Sequence, residues 1–294
     1  MIEEIASRPG AGEQIAYPLV APSSPASTRL SINETTTYHW GFQDDVLGYC
    51  EAGIEAIGIW RSKLVQYGEE KGIELVEEMG LSVSSLSWAG GFTGSNGCSF
   101  EEAVDDARDA IALAGNLKTN CLSLVSGTRA GHTTRHARRL VAQAIRALAE
   151  DAAKRNVSLA LQPMSPLVGQ QFSFVNSLDE TLEIIGMSGV EQARIAFDVY
   201  HLFREPRLIE RIPEIAPLVA IVQLNDFRDP PRSEIDRCLP GDGEIPLREI
   251  TEAFLAAEYA GHFEIGVWSE EVWNSDYVQV LRSCRERFDR LIAG

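Results

Sequence analysis

Cysteine is scarce in this sequence of 294 residues, which has five scattered cysteines and no CxxC pair. An odd, unclustered set of this kind argues against a disulfide framework and against a zinc knuckle. No apolar run approaches the roughly 18 residues that a membrane-spanning helix needs. The opening MIEEIASRPGAGEQ also lacks the apolar segment typical of a secretory signal. We therefore expect a cytoplasmic protein without a membrane segment.

Basic residues are also few. The sequence has 26 Lys and Arg and 43 Asp and Glu, which gives a formal net charge of −17. A surface this acidic repels phosphate backbones, so nucleic acid is disfavoured as a partner. The same charge can simply keep a protein in solution. Apolar residues, by contrast, make up 45% of the chain. That is enough to bury a large core without disulfides or a structural metal.

Strand-like and helix-like patterns alternate along the chain from residue 29 onward. The predicted strands are 30–32, 56–60, 81–87, 121–126, 158–162, 193–198, 220–224 and 263–267, and the predicted helices are 44–52, 63–79, 100–117, 134–155, 178–187, 207–215, 247–257 and 278–292. Eight such units close a barrel, whereas five or six would favour an open sheet, and no GxGxxG follows the first strand. The sequence predicts an α/β protein, a single-domain (β/α)8 TIM barrel over 29–294. An irregular N-terminal extension rich in Pro, Ser and Ala precedes it over 1–28.

Polar side chains stand at the ends of the later predicted strands. IAFDVYHL carries Asp198 and His201, IVQLNDF carries Gln223, HFEIGVW carries Glu264, and ALQPM sets Gln162 at the end of the fifth strand. In a barrel the carboxyl ends of the strands form the functional site, so only the fold can bring these distant residues together. Oxygen-bearing and imidazole side chains of this kind are typical of a pocket for a polyol or a metal ion.

Other strand ends add aromatic and basic side chains. The candidates for substrate binding are Trp60, Lys63, Trp88, His132 and Arg228. Indole rings suit the C–H faces of sugars, and cations suit anionic groups or hydroxyls. Plainer alternatives stay open, since the indoles can pack the rim, His132 can cap a helix and Arg228 can neutralise neighbouring aspartates.

Three motifs together resemble one known family. FDVYHL, then VQLND followed by Arg228 and PGDGEIPL, then FEIGVWSEEVW resemble the sugar phosphate isomerase/epimerase family, part of the xylose-isomerase-like barrel superfamily. The resemblance covers about residues 29–290, with its specific motifs in the second half. It implies a small sugar-like substrate and leaves open whether the chain forms a dimer or tetramer, as relatives often do.

The resemblance also implies one divalent metal ion (Mn, Mg, Co or Zn) at the ends of strands five to eight. The matching positions here are Gln162, Asp198, Gln223 and Glu264, where the family usually has Glu, Asp, His or Gln, and Glu. Gln162 is the departure, because the family's Glu-Pro reads Gln-Pro in this chain. An amide oxygen can coordinate a hard cation but brings no charge. Two carboxylates instead of three therefore predict weak metal binding.

The reaction that the resemblance implies is proton transfer next to the carbonyl of a sugar or sugar-derived hydroxy-carbonyl compound, as in isomerases and epimerases. Glu264 would serve as metal ligand and general base, and His201 would orient a substrate hydroxyl. A glutamine cannot move a proton, so Gln162 favours single-base chemistry.

Two alternatives to this reaction stay open. They are a lyase acting on a keto-sugar or modified glycoside, and a degenerate barrel that binds a sugar without turning it over. Superfamily members that act at abasic DNA sites need a multi-zinc cluster with many histidines, and this chain has five histidines. An abasic-site endonuclease is therefore disfavoured.

Overall fold

Eight parallel strands close into a barrel in the computed structural model, which describes residues 29–166, 171–233 and 236–293. The barrel strands are β1 (Leu30–Asn33), β2 (Ala56–Trp60), β3 (Ser82–Gly90), β4 (Cys121–Val125), β5 (Ser158–Leu161), β6 (Ala193–Asp198), β7 (Val219–Leu224) and β10 (Phe263–Ile265). Each pairs with the next barrel strand along the chain, and β10 closes the ring against β1. The predicted (β/α)8 barrel is confirmed, and the predicted extension at 1–28 lies outside the described residues.

Helices follow the strands and pack around them. Those of the described residues are α1 (Phe42–Glu51), α2 (Arg61–Tyr67), α3 (Glu69–Glu78), α4 (Phe100–Asn116), α5 (Thr134–Arg155), α6 (Leu178–Ser188), α7 (Val199–Leu202), α8 (Leu208–Ile215), α9 (Leu247–Ala256), α10 (Glu270–Trp273) and α11 (Tyr277–Ile292). Ser99 and Glu102 form a capping box at the start of α4, because each side chain accepts the backbone N–H of the other residue. Within the described ranges, no helix has both the length and the apolarity that crossing a membrane requires.

Two local features differ from the sequence prediction. The helix predicted over 63–79 is two helices, because Gly68 between them has φ 109°, which interrupts the helical hydrogen bonds. The connection after β7 contains a small antiparallel hairpin, β8 (Asp226–Phe227) with β9 (Arg237–Cys238), that no periodicity indicated. The hairpin matters because it carries Arg237 toward the end of β6.

Asp226 holds the connection that contains this hairpin. Its buried carboxylate accepts the backbone N–H groups of Phe227 at 2.8 Å, and of Gly241 and Ile245 at 2.9 Å. One carboxylate therefore ties the PGDGEIP turn to the hairpin, with hydrogen bonds that the irregular backbone could not make to itself.

The barrel interior is lined differently from the core between strands and helices. A cluster of small or branched side chains, separate from the main core, consists of Cys121, Ala160, Ala196 and Ile221. Alternate residues of a strand face the same side, so the residues two positions further along these strands also face the interior. Those residues are Ser123, Gln162, Asp198 and Gln223. The interior thus changes from apolar to polar toward the carboxyl ends of the strands.

Candidate functional site

Gln162, Asp198, Gln223 and Glu264 meet at the carboxyl end of the barrel. The register of β6, β7 and β10 sets Asp198 beside Gln223 and Gln223 beside Glu264. The Gln162 amide Nε2 donates to Gln223 Oε1 at 3.1 Å and to Asp198 Oδ2 at 3.4 Å. Gln223 Nε2 in turn donates to Glu264 Oε1 at 2.9 Å. These four buried side chains form one hydrogen-bonded group, which we call the strand-end network.

Asp198 lies against a cation, Arg237 of β9. The Arg237 guanidinium donates from Nη1 to Asp198 Oδ2 at 2.8 Å and packs over the ring of Tyr200, 4.6 Å from its centre. Asp198 Oδ1 accepts Asn225 Nδ2 and the backbone N–H of Tyr200, each at 3.0 Å. Burial alone would raise the pKa of Asp198, but the charge of Arg237 and the hydrogen bonds outweigh burial and lower the pKa. Asp198 is therefore an ionised, fully partnered carboxylate.

His201 lies beside this ion pair. Its Nδ1 accepts the backbone N–H of Ser165 at 3.1 Å, and its Nε2 is 3.1 Å from Arg237 Nη2 and 3.7 Å from Asp198 Oδ2. A neutral imidazole has one accepting nitrogen, so it can accept from Ser165 or from Arg237 but not from both. Burial lowers the pKa of His201 to about 4; Arg237 adds to the lowering and Asp198 opposes it. The imidazole is therefore neutral at physiological pH.

Glu264 is fully buried, and four neutral donors hold its carboxylate. Oε1 accepts Asn33 Nδ2 at 3.0 Å and Gln223 Nε2 at 2.9 Å. Oε2 accepts the hydroxyls of Ser84 at 2.7 Å and Ser85 at 2.6 Å. A buried carboxylate is costly unless it is hydrogen-bonded, and these donors supply what water would have supplied. Glu264 thus differs from Asp198, because none of its hydrogen-bond donors is a cation.

Two buried hydroxyls beside this network, those of Ser87 and Ser123, have no hydrogen-bond partner among the described residues. They are register partners on β3 and β4, and Ser123 faces the barrel interior, as does Gln162 on the neighbouring β5. Buried polar groups in proteins almost always find a partner. These two hydroxyls therefore indicate a position for a water molecule or a ligand oxygen next to the strand-end network.

Half-buried aromatic side chains group at the same end of the barrel. The set, which we call the aromatic wall, is Tyr38, Trp60, Trp88, Trp268 and Trp273. Trp268 stacks on Trp88 with ring centres 5.8 Å apart, and Tyr38 stacks on Trp60 at 5.6 Å. Trp88 Nε1 donates to Gln162 Oε1 at 3.3 Å, which joins the wall to the strand-end network. Half-buried indoles of this kind can pack the apolar C–H face of a ligand.

Lys63 belongs to a separate buried cluster. Its Nζ donates to the carbonyls of Glu34 at 3.1 Å and Thr37 at 2.9 Å and to Asp45 Oδ2 at 2.7 Å. Burial and the nearby Asp45 charge raise the pKa of Glu34 well above its usual range. Burial also raises the pKa of Asp45 to about 6, although Lys63 opposes this. All three Lys63 N–H groups thus have protein acceptors in this arrangement.

Arg228 pairs with acidic groups. Its Nη1 is 3.3 Å from Glu271 Oε2 and 3.7 Å from Asp236 Oδ1, and Arg232 contacts the same two carboxylates. The arrangement matches the neutralising alternative for Arg228, with Asp236 and Glu271 as the acids instead of the adjacent aspartates of the sequence.

His132 lies just before α5, where its ring meets His136 edge-on with centres 4.9 Å apart. The N-cap of α5 is Thr133, which accepts the N–H of His136 at 3.3 Å.

The loops after β4 and β5 also enclose a cleft of about 370 Å³. It is lined by Thr128, Arg129, Ser173, Phe174 and Asn176.

The strand-end network does not fit a divalent metal ion as it is arranged. No group of three or more His, Cys, Asp and Glu is placed to hold one within the described parts of the chain. Each carboxylate oxygen of Asp198 and Glu264 already accepts two hydrogen bonds from the protein. The oxygens of Gln162 and Gln223 each accept one. A hard cation needs free lone pairs on charged oxygens, and those of both carboxylates are engaged.

Sequence reasoning missed three residues of the site: Asn33, Asn225 and Arg237. Asn33 ends β1 and Asn225 follows β7, so a search of strand ends for amides could have found both. Arg237 carries no such signal, because it lies in a long connection without periodicity. Only the β8–β9 hairpin brings it to Asp198.

Comparison with known proteins identifies the family. The model of the xylose isomerase-like TIM barrel family matches residues 50–287. Protein SMc04130 from Sinorhizobium meliloti 1021 has a similar structure, with 30% identity and a TM-score of 0.83 over 90% of this chain and 98% of that one.

Two more distant structures show the same fold. The IolI protein with a bound zinc atom has 17% identity and a TM-score of 0.79. D-psicose 3-epimerase with D-tagatose, from Clostridium cellulolyticum H10, has 13% identity and a TM-score of 0.72. Both alignments cover 90% of this chain and 98% of the other chain. None of the curated proteins compared with the chain matches it. The family match over most of the chain, together with the closed barrel, shows that the chain belongs to the xylose isomerase-like TIM barrel family.

Proposed function

We propose that the protein is an enzyme that moves a proton next to the carbonyl group of a small sugar or sugar-derived hydroxy-carbonyl compound. The observation that carries the proposal is the convergence of two carboxylates and two amides from four barrel strands, beside the aromatic wall. The family includes isomerases and epimerases, and a barrel of the same fold was solved with the sugar D-tagatose. Both points support a sugar-like ligand at this end of the barrel.

The site offers two kinds of contact to such a ligand. The aromatic wall can cover the C–H face of a sugar, and buried donors can bind its oxygens. The side chain of Arg237 is 13% exposed and Gln223 is 7% exposed, whereas Asp198 and Glu264 are at most 1% exposed. A ligand therefore meets Arg237 and Gln223 before it reaches either carboxylate.

Glu264 is the proton acceptor in this proposal. Asp198 is paired with Arg237, and Gln162 can neither donate nor accept a proton in catalysis. Glu264 instead faces four neutral donors, and one of them, Gln223, belongs to the more accessible part of the site. If Gln223 turned its amide toward a ligand oxygen, Glu264 Oε1 would gain a lone pair for a substrate proton. A single base favours isomerisation, or elimination from a keto-sugar, over two-base epimerisation.

Metal dependence, which the family resemblance implies, does not enter this proposal. The carboxylate oxygens are occupied by protein donors, so no step of the proposed reaction runs through a metal ion.

A second candidate function is sugar binding without turnover. The observation in its favour is that both carboxylates already accept four hydrogen bonds each, which leaves no free base in the present arrangement. Both candidates bind a sugar-like ligand, but only the enzyme breaks a C–H bond next to the carbonyl of the ligand.

The test is exchange of carbon-bound hydrogen with solvent. A panel of keto- and aldo-sugars would be screened for binding by thermal shift and incubated with the protein in D2O. Proton NMR would then follow loss of the signal next to the carbonyl. For a sugar that exchanges, Glu264→Gln should lower the rate by about 10²- to 10⁴-fold, the usual contribution of a general base.

The matched control is Glu249→Gln, the same substitution at an exposed position of α9, which should leave exchange unchanged. If sugars bind but never exchange hydrogen with solvent, the protein is a sugar-binding barrel without turnover, and the enzyme proposal is wrong. Exchange that survives Glu264→Gln would show that another group is the base.

A further inference from the structure

Arg237 occupies the position where a cation would contact Asp198. Its Nη1 lies 2.8 Å from Asp198 Oδ2, and its side chain is largely buried. The guanidinium is fixed from several sides, because it stacks on Tyr200 while the Arg237 backbone N–H donates to the carbonyl of Trp268 at 3.0 Å. A residue held in this way is a permanent part of the site.

A divalent cation and this guanidinium cannot share Asp198. Arg237 and Gln162 supply the two hydrogen bonds to Oδ2, and Asn225 and a backbone N–H supply those to Oδ1. A metal ion at Oδ2 would also stand within a few ångströms of the guanidinium charge, where like charges repel strongly in a buried site. Either the arginine leaves or the metal stays out.

We propose that Arg237 is the resident cation of this site in place of a divalent metal. Its Nη1 donates to Asp198 Oδ2, so its charge compensates one of the two buried carboxylates of the strand-end network. Arginine stays charged at all relevant pH values and pairs with carboxylates in a fixed fork, so it can hold this role without a cofactor.

This inference stands without the proposed function, because metal binding can be measured with no sugar present. A protein that binds no sugar would defeat the proposed function and leave the metal measurements unaffected. The experiment therefore uses metal ions alone.

Binding of Mn²⁺ and Zn²⁺ would be measured by calorimetry, and metal content after desalting by elemental mass spectrometry. The wild type and Gln162→Glu should both lack stoichiometric metal, and neither EDTA nor Mn²⁺ should shift their Tm. Gln162→Glu restores a third carboxylate but keeps Arg237, so it isolates the effect of the arginine. The double variant Gln162→Glu/Arg237→Met should bind one Mn²⁺ at least tenfold more tightly than Gln162→Glu.

The matched control is Gln162→Glu/Arg228→Met, which removes a different arginine of the same connection and should bind metal no better than Gln162→Glu. Tight metal binding by the wild type or by Gln162→Glu alone would overturn the inference, and so would an equal gain in the Arg228 control. If Arg237→Met prevents folding, the Gln162→Glu result still decides between these outcomes.

Discussion

Replacing Gly58 by alanine tests whether the Glu264 carboxylate is fixed in the barrel interior. Gly58 lies in β2, and a Cβ at this position would stand 2.2 Å from Glu264 Oε2 and 2.7 Å from Asn33 Nδ2. Neither distance is tolerable, so the two side chains would have to move. Both are buried, and the Glu264 carboxylate has no solvent to move into.

The size of the effect follows from the hydrogen bonds at stake. Oε2 is the oxygen nearest the new methyl group, and it accepts the hydroxyls of Ser84 and Ser85. Hydrogen bonds to a charged group contribute about 1.5–3 kcal/mol each, so losing one or two should lower the free energy of unfolding by roughly 2–5 kcal/mol. Local propensity alone predicts the opposite sign, because alanine in a strand is favoured over glycine by about 0.5–1 kcal/mol.

Urea unfolding of four variants, Gly58→Ala, Gly186→Ala, Glu264→Ala and Gly58→Ala/Glu264→Ala, distinguishes these views. Gly58→Ala should lower the unfolding midpoint, whereas Gly186→Ala should raise stability by up to about 1 kcal/mol, since no atom lies within 4 Å of a Cβ at that exposed position of α6. Gly58→Ala/Glu264→Ala should lose less than the sum of the two single variants, because one clashing side chain is gone. A Gly58→Ala protein as stable as the wild type, or additive losses, would refute the reasoning.

Two further predictions concern pH. The pKa of His201 is lowered from 6.5 to about 4, so the free energy of unfolding is highest above pH 6.5 and falls by roughly 3 kcal/mol as the pH falls toward 4. His201→Gln should make the urea midpoint less dependent on pH in that window. An unchanged pH dependence of the midpoint would contradict the argument from burial. The buried Glu34 and Asp45 act with opposite sign, because burial raises both of their pKa values. For Asp45 the contribution to stability is complete below about pH 3.8 and is lost as the pH rises through about 6. Glu34→Gln should therefore raise the urea midpoint at pH 8 relative to that at pH 4, and an equal change at both values would show that the pKa of Glu34 is not raised in the folded protein.

The barrel could be predicted from sequence because its strands and helices repeat a simple pattern of buried residues. β2, β6 and α5 begin and end at the predicted residues. The prediction of one helix was wrong at 63–79, where the apolar spacing continues through Gly68 but the helical backbone conformation is interrupted there. A glycine inside a helical pattern is compatible with either outcome, and packing against the barrel decides.

The positions of the strand-end residues could also be predicted, since closing eight parallel strands brings their carboxyl ends together. The direction of each hydrogen bond could not. Gln162 and Gln223 have oxygens that suit a metal, yet each amide also donates an N–H to its neighbour. Which end of an amide faces a site depends on the surrounding partners, and the decisive partner, Arg237, comes from a hairpin without a sequence signal.

The glutamine at 162 and the arginine at 237 are best understood together, through the charge of the site. The resemblance implies three carboxylates around a divalent ion, a net charge of about −1 for the family's usual site. Asp198 and Glu264 with Arg237 reach the same net charge without a metal. A third carboxylate beside Arg237 would raise the net negative charge of the buried site. A divalent ion added to the present residues would make the net charge of the site positive. Both uncompensated charges are costly in a buried interior. On the proposal that Arg237 replaces the metal, the amide at Gln162 therefore keeps the site at the family's net charge.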